Sequence, residues 1–115
     1  MKNAYGYTRT ATAKQTKESN AIEWQSRAIR KYCKKNKIQL FGIFADIAKS
    51  GLNLNRPGIK KMLRQITKKP VDFVVISDSD RLSRNKTDYY HIKKDLAQNK
   101  TYVLSVAENI KKRDI

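Results

Sequence analysis

The sequence predicts an α/β fold, a three-layer sandwich in which a central, mostly parallel sheet of about four to five strands is flanked by helices. Two observations carry this expectation. Apolar runs of strand length alternate with longer segments of helical period. Each run is also apolar almost without interruption, as in strands buried on both faces. A length of 115 residues suits one domain around one core, so residues 1–115 are expected to form a single unit.

The elements follow in order. Ala4 to Tyr7, running into Thr8, Arg9 and Thr10, reads as a first strand. Asn20 and Glu23 have capping-box spacing, and Ala21, Ile22, Ala28, Ile29, Tyr32 and Cys33 mark one face of a helix expected to stop near Asn36. Ile38 to Phe44 predicts a second strand ending at Asp46, followed by the loop IAKSGLNLN with Ser50 and Gly51 as turn residues. Pro57 suits the first position of a helix whose Ile59, Met62, Leu63 and Ile66 recur at i, i+3, i+4, i+7. Pro70 ends that helix. Asp72 to Ile76 then forms a third strand, Thr87 to Gln98 a helix with Tyr89, Ile92 and Leu96 inward, and Tyr102 to Val106 a fourth strand.

Sheets of this kind bind ligands beyond the carboxyl ends of their strands. The segments expected at that rim are Arg9 to Gln15, Asp46 to Arg56, Asp78 to Arg84 and Glu108 onward. They collect Arg9, Arg56, Arg81 and Arg84, whose planar forks of donors match phosphate oxygens. Any one of these could be an ordinary surface or ion-pair residue, Asp80 could pair with Arg81, and Asp80 or Ser83 could cap the next helix. Their joint placement favours an anion clamp.

Charge points the same way. Lys and Arg number 26 against 10 Asp and Glu, a formal charge of +16 spread along the chain. A merely solvated surface would mix both signs, so a polyanion is the expected partner. Nucleic acid is favoured over an anionic membrane, because no basic amphipathic helix with an apolar aromatic face stands out. No apolar run approaches a membrane span and the N-terminus does not read as a signal peptide, so a cytoplasmic location is expected. A lone Cys33 excludes an internal disulfide, and one His91 leaves no zinc-ligand spacing. Cys33 reads as a small core group and His91 as a surface residue. Trp24, Tyr89 and Tyr90 read as helix-packing or subunit-contact residues.

Four motifs together resemble the serine site-specific recombinases of the resolvase and invertase type. They are Tyr7-Thr8-Arg9-Thr10-Ala11, where the family has Tyr-x-Arg-x-Ser; Glu23-Trp24-Gln25; Asp46 with Ser50-Gly51 and Arg56-Pro57-Gly58; and Asp80-Arg81-Leu82-Ser83-Arg84. The resemblance covers most of the chain. It implies a DNA-bound catalytic domain in which a serine hydroxyl attacks the scissile phosphate, giving a 5′-phosphoserine link and a free 3′-hydroxyl, without metal, nucleotide or other small-molecule cofactor. Matched by position, Arg9, Arg81 and Arg84 surround the phosphate, Arg56 and Gln25 assist, and Asp80 orients arginines or handles a proton. It further implies a bacterial, phage or mobile-element setting and a homodimer or tetramer of the full-length form.

The chain departs from the pattern twice. Ala11 occupies the nucleophile position and cannot attack, while Thr10 and Thr12 point to the opposite face if the strand continues. Family members also continue into a long dimerisation helix and a DNA-reading domain, which are expected to be absent from this chain, ending as it does at AENIKKRDI. Two other readings stay open: a catalytically degenerate DNA-binding or oligomerisation module, and a Mg²⁺-dependent nuclease or topoisomerase-like domain using Asp46, Asp78, Asp80 and Glu108. Arg9 at the first strand end opposes the latter, because it repels a divalent ion.

Overall fold

The computed structural model describes residues 1–10, 17–47 and 56–108. Strands β1 (Asn3–Thr10), β2 (Gln39–Ile47), β3 (Phe73–Ile76) and β4 (Tyr102–Ser105) form one parallel sheet in the order β2-β1-β3-β4. Between them run α1 (Lys17–Lys35), α2 (Pro57–Lys68), the single turn α3 (Ser79–Leu82) and α4 (Lys86–Ala97). From β1 the chain steps outward to β2, then crosses back to β3 and β4. Right-handed crossovers in opposite directions put their helices on opposite faces. The core divides accordingly. Ile29 and Cys33 of α1 pack with Ala4, Val75 and Leu104 on one face; Ile59, Met62 and Ile66 of α2 with Ile92 and Leu96 of α4 pack with Tyr5, Tyr7, Val74, Ile76 and Val103 on the other.

The strand order reverses between β1 and β3, and there the two strands part. β1 pairs with β2 along its full length, from Asn3 opposite Gln39 to Thr10 opposite Ile47. With β3 it pairs only from Ala4 to Gly6. Beyond Gly6 the main chain of β1 must find other partners on that side, since buried N–H and C=O groups do not go unpaired. The crevice this creates is where a doubly wound sheet is expected to bind.

Several boundaries differ from expectation. α1 begins at Lys17, so Asn20 and Glu23 lie inside the helix and do not cap it; Lys, Glu and Ser tolerate helix without supplying an apolar mark. α4 begins at Lys86 because Asn85 accepts a hydrogen bond from the Asp88 N–H at 3.0 Å. The turn α3 is too short to show a period and has no counterpart in the sequence reading. Trp24 and Tyr90, 51% and 67% exposed, stay outside the core, whereas Tyr89 joins the α2/α4 core and meets Tyr90 edge to face. Cys33 is buried and His91 exposed, as expected. Ser50, Gly51 and Ala11 lie outside the described residues.

Local backbone demands are specific. At Gly58, an added Cβ would lie 2.3 Å from the Ala45 carbonyl oxygen and 2.9 Å from Asp46 Cγ. α2 can therefore approach β2 only with glycine in its first turn. α1 and α4 each end on a lysine in the left-handed region, Lys37 at φ 57° and Lys100 at φ 58°. The N–H groups of Ile38 and Thr101 reach back to the carbonyls of Cys33 and Leu96, a closure that normally uses glycine.

Three outcomes follow from these contacts. Gly58→Ala should lower stability by about 2–3 kcal/mol through backbone collision, read as a reduced urea midpoint. Lys37→Gly and Lys100→Gly should each raise stability by about 0.5 kcal/mol, relief of left-handed strain exceeding the added chain entropy. Burial pushes the Cys33 thiol up to about 11 from 9.0. The folded protein thus keeps this proton at pH values where the unfolded chain has lost it, so the contribution is complete below pH 9.0 and disappears as pH rises through about 11. Urea midpoints at pH 8 and 11 should show a loss that Cys33→Ala reduces.

Candidate phosphate-binding site

Strand alternation places Tyr5, Tyr7 and Arg9 on one face of β1, so Arg9 emerges past the aromatic core at the crevice. Gln25 fixes the main chain there. It continues the stripe of Ile29 and Cys33 at four-residue spacing and is fully buried. Its Oε1 accepts from the Arg9 N–H at 3.0 Å, and its Nε2 donates to the Arg9 carbonyl at 3.0 Å. A side-chain amide thus stands in for the strand partner that β3 does not supply.

Arg9 and Arg81 then hold one another through main-chain oxygens. Arg9 donates from Nε to the Arg81 carbonyl at 3.1 Å and from Nη2 to the Asp80 carbonyl at 2.7 Å. Arg81 donates from Nη1 to the Arg9 carbonyl at 3.2 Å, with its Nε 3.3 Å from Asp78 Oδ2. The clasp ties the end of β1 to α3 across the crevice.

Arg56 enters from the start of α2. Its Nη2 donates to the Tyr7 hydroxyl at 2.9 Å and lies 3.5 Å from the Arg81 carbonyl, and its Nη1 pairs with Asp88 at 3.2 Å. Its guanidinium carbon sits 5.4 Å from the Tyr7 ring centroid, and its buried Nε has no hydrogen-bond partner among the described residues. Tyr7 in turn donates to Asp46 Oδ2 at 2.6 Å. Asp46 also accepts from the N–H groups of Gly58 at 2.7 Å and Ile59 at 2.9 Å, so it caps α2 from the neighbouring strand. Burial pushes the Tyr7 hydroxyl well above its ordinary range, reinforced by Asp46 and opposed by Arg56.

Three of the four expected arginines therefore converge. Burial lowers the Arg9 guanidinium from its ordinary value, and repulsion from Arg56, Arg84 and Arg81 adds to the effect, so Arg84 belongs to the same positive field. Arg84 itself is exposed. Asp80 is exposed and contributes its carbonyl to Arg9, while the partner of Arg81 is Asp78 rather than Asp80. Ser83 accepts from the Asn85 N–H and does not cap α4. Sequence reasoning missed the parts played by Tyr7 and Asp88. Tyr7 could have been found from its position two residues before Arg9 on one strand; Asp88 gave no local signal.

Glu108 closes the far side. It accepts from the Ser79 N–H at 3.1 Å, from Ser79 Oγ at 3.0 Å and from Ser105 Oγ. Partial burial pushes its carboxyl up, but the Ser105 and Ser79 bonds outweigh this and hold it below the usual carboxylate range. The carboxylates thus have separate partners: Asp46 with α2 and Tyr7, Asp78 with Arg81 and Ser77, Glu108 with Ser79 and Ser105. Among the described residues no three His, Cys, Asp or Glu gather as a metal site, and no helix is long and apolar enough to cross a membrane.

Comparison with known proteins gives this geometry a context. The N-terminal catalytic domain of TP901-1 integrase is 32% identical with a TM-score of 0.84, the match covering 95% of this chain and 81% of that one. The C-terminal catalytic domain of ISC1926 TnpA, an IS607-like serine recombinase, is 28% identical with a TM-score of 0.77, covering 90% and 69%. A resolvase family site-specific recombinase from Streptococcus pneumoniae shares the fold with a TM-score of 0.86, covering 100% and 78% at 24% identity. In Bacillus phage phi105, the protein named "Uncharacterized immunity region protein 3" is 32% identical over 65 residues, 56% of this chain and 79% of that protein. The family described as "Resolvase, N terminal domain" matches residues 4–114. The chain belongs to that family, and its fold is that of a serine recombinase catalytic domain.

Proposed function

We propose that this domain holds a DNA backbone phosphate at the crevice between β1 and β3, in the manner of a serine recombinase whose nucleophile position is occupied by Ala11, and that the chain as it stands does not cleave. One observation carries the reading. The guanidinium groups of Arg9 and Arg56 meet at the Arg81 carbonyl, at 3.1 and 3.5 Å, and the Arg81 guanidinium donates in turn to the Arg9 carbonyl at 3.2 Å. Holding like charges together costs stability, and an incoming phosphate would offset that cost.

Each residue has a task in this scheme. Arg9, Arg81 and Arg84 face the phosphate oxygens; Arg56, paired with Asp88 and Tyr7, supports the field from beneath. Gln25 acts through Arg9 by fixing its main chain. Asp80, exposed and beside Arg9, is the carboxylate placed to orient an arginine or take a proton. Phosphoryl transfer needs chiefly positioning and charge stabilisation, which such a cluster supplies. What it lacks is the attacking oxygen. With serine at position 11, that oxygen would bond to phosphorus, the 3′ oxygen would leave and take a proton, and a 5′-phosphoserine link would remain for resealing.

Two points weigh against the Mg²⁺ reading. Both oxygens of Asp46 are occupied by three donors, and Arg81 lies against Asp78. The reading as a degenerate DNA-binding or oligomerisation module keeps one observation in its favour, Ala11 itself. DNA is the partner in either case. A full-length form would act as a homodimer or tetramer in the cytoplasm, in a bacterial, phage or mobile-element setting.

The deciding experiment restores the hydroxyl. Ala11→Ser in the full-length protein, incubated with its cognate DNA site carrying a nick, should give a covalent protein–DNA adduct resistant to denaturant, and the unaltered protein none. Adding Arg81→Gln should slow adduct formation by about 10²–10³-fold, the effect of removing one charge-stabilising donor. DNA binding without any adduct from Ala11→Ser would establish the degenerate module instead.

A further inference from the structure

Helix α2 breaks a local rule over its whole outer face. Its buried side is Ile59, Met62 and Ile66, leaving Lys60, Lys61, Arg64 and Lys68 exposed. Its sequence, PGIKKMLRQITK, contains no acidic residue, so none offsets these charges along the helix. Lys61 and Arg64 stand three apart, Arg64 and Lys68 four apart, spacings at which like charges repel. Lys60 and Lys61 also lie just behind the positive end of the helix dipole, where carboxylates are favoured and cations are not.

α1 shares the like-charge spacing in its second half, with Arg30 and Lys34 four apart and Lys31 and Lys35 four apart, but neither α1 nor α4 is without acidic residues, as α2 is. α4 mixes Asp88 and Asp95 among its lysines, and α1 pairs Arg27 with Glu23 while Lys34 and Lys35 occupy its last turn, where the dipole favours them. Among the described residues, Lys61, Arg64 and Lys68 have no ion pair; the pairs present are Arg27–Glu23, Arg56–Asp88 and Arg81–Asp78. Lys69 at the far end is engaged differently, its Nζ 4.2 Å over the Phe41 ring.

Position gives the fault a meaning. α2 starts at Arg56, inside the guanidinium cluster, and runs back along the sheet towards the amino ends of the strands. We infer that the outer face of α2 is a second DNA-contact surface, a track that carries the phosphate backbone away from the crevice with Lys61, Arg64 and Lys68 as its contacts. The dimensions suit it. From Lys61 to Lys68 the helix rises about 10 Å at 1.5 Å per residue, the axial length of about three phosphates on one strand. Duplex DNA is favoured over an anionic membrane because this face has no exposed large apolar residue to insert.

The inference rests on DNA being the partner of the crevice, but its test reads a different quantity. Binding of a fluorescent 30-base-pair duplex of arbitrary sequence is measured against NaCl concentration for the full chain, for Lys61→Gln/Arg64→Gln/Lys68→Gln, and for a control with equal charge loss on α1, Arg30→Gln/Lys31→Gln/Lys34→Gln. Circular dichroism verifies that each is folded. Loss of three phosphate contacts should make the log–log salt slope shallower by about 2.7 in the α2 variant, with a change below about 1 in the α1 control. Equal changes in both would reduce the effect to net charge and overturn the track. So would an unchanged slope, or loss of binding to phosphatidylserine vesicles alone. An adduct from Ala11→Ser with an unchanged α2 slope would sink the track and leave the crevice reading standing; the reverse pair of results would do the opposite.

Discussion

Guanidinium groups that must stand together repel, and the way this chain holds them determines much of the rest. It uses main-chain oxygen as well as carboxylate. Arg9 leans on the carbonyls of Asp80 and Arg81, and Arg81 on that of Arg9. A carbonyl fixes direction without cancelling charge. Asp78 and Asp88 neutralise Arg81 and Arg56 in part, while no ion pair is found for Arg9 or Arg84 among the described residues. The arrangement is therefore both rigid and positive, the combination an oxyanion site requires.

That rigidity depends on the sheet failing at one place. Were β3 to follow β1 beyond Gly6, the Arg9 main chain would be taken by a strand and α3 could not reach it. Because pairing stops, Gln25 and Arg81 share the Arg9 main chain, and helices from opposite faces meet at one residue. Asp46 makes the corresponding junction on the other side, drawing α2, β2 and Tyr7 together so that Arg56 is delivered at a fixed height.

The sheet was legible because burial on both faces writes continuous apolar runs such as Val74 to Ile76, and α2 because Ile59, Met62 and Ile66 keep helical spacing. The arginines were legible as a set because strand ends predict a shared rim. Other features left weaker traces. α1 starts in polar residues that carry no period, and four residues of α3 cannot show one. Arg56 finds Asp88 thirty-two positions away, a pairing fixed only by the packed fold. Gln25 was the missed opportunity. Resemblance alone suggests phosphate contact, yet its place in the Gln25, Ile29, Cys33 stripe marks it as buried, and a buried amide needs polar partners on both its atoms.

Local rules and global fold agree over most of this chain, so the places where they conflict carry information. Lysines in left-handed caps at Lys37 and Lys100 break a backbone preference, but each is solitary and accounts for itself by closing a helix. The conflicts at the crevice and along α2 are of another kind, since both are electrostatic, both have the same sign, and Arg56 links them. A conflict relieved inside the protein would show an acidic neighbour, and α2 has none of its own. On the proposed reading, a partner with closely spaced negative charges supplies that relief. A polyanion long enough to engage the crevice and α2 together would satisfy both conflicts at once, whereas a small anion would satisfy only the first.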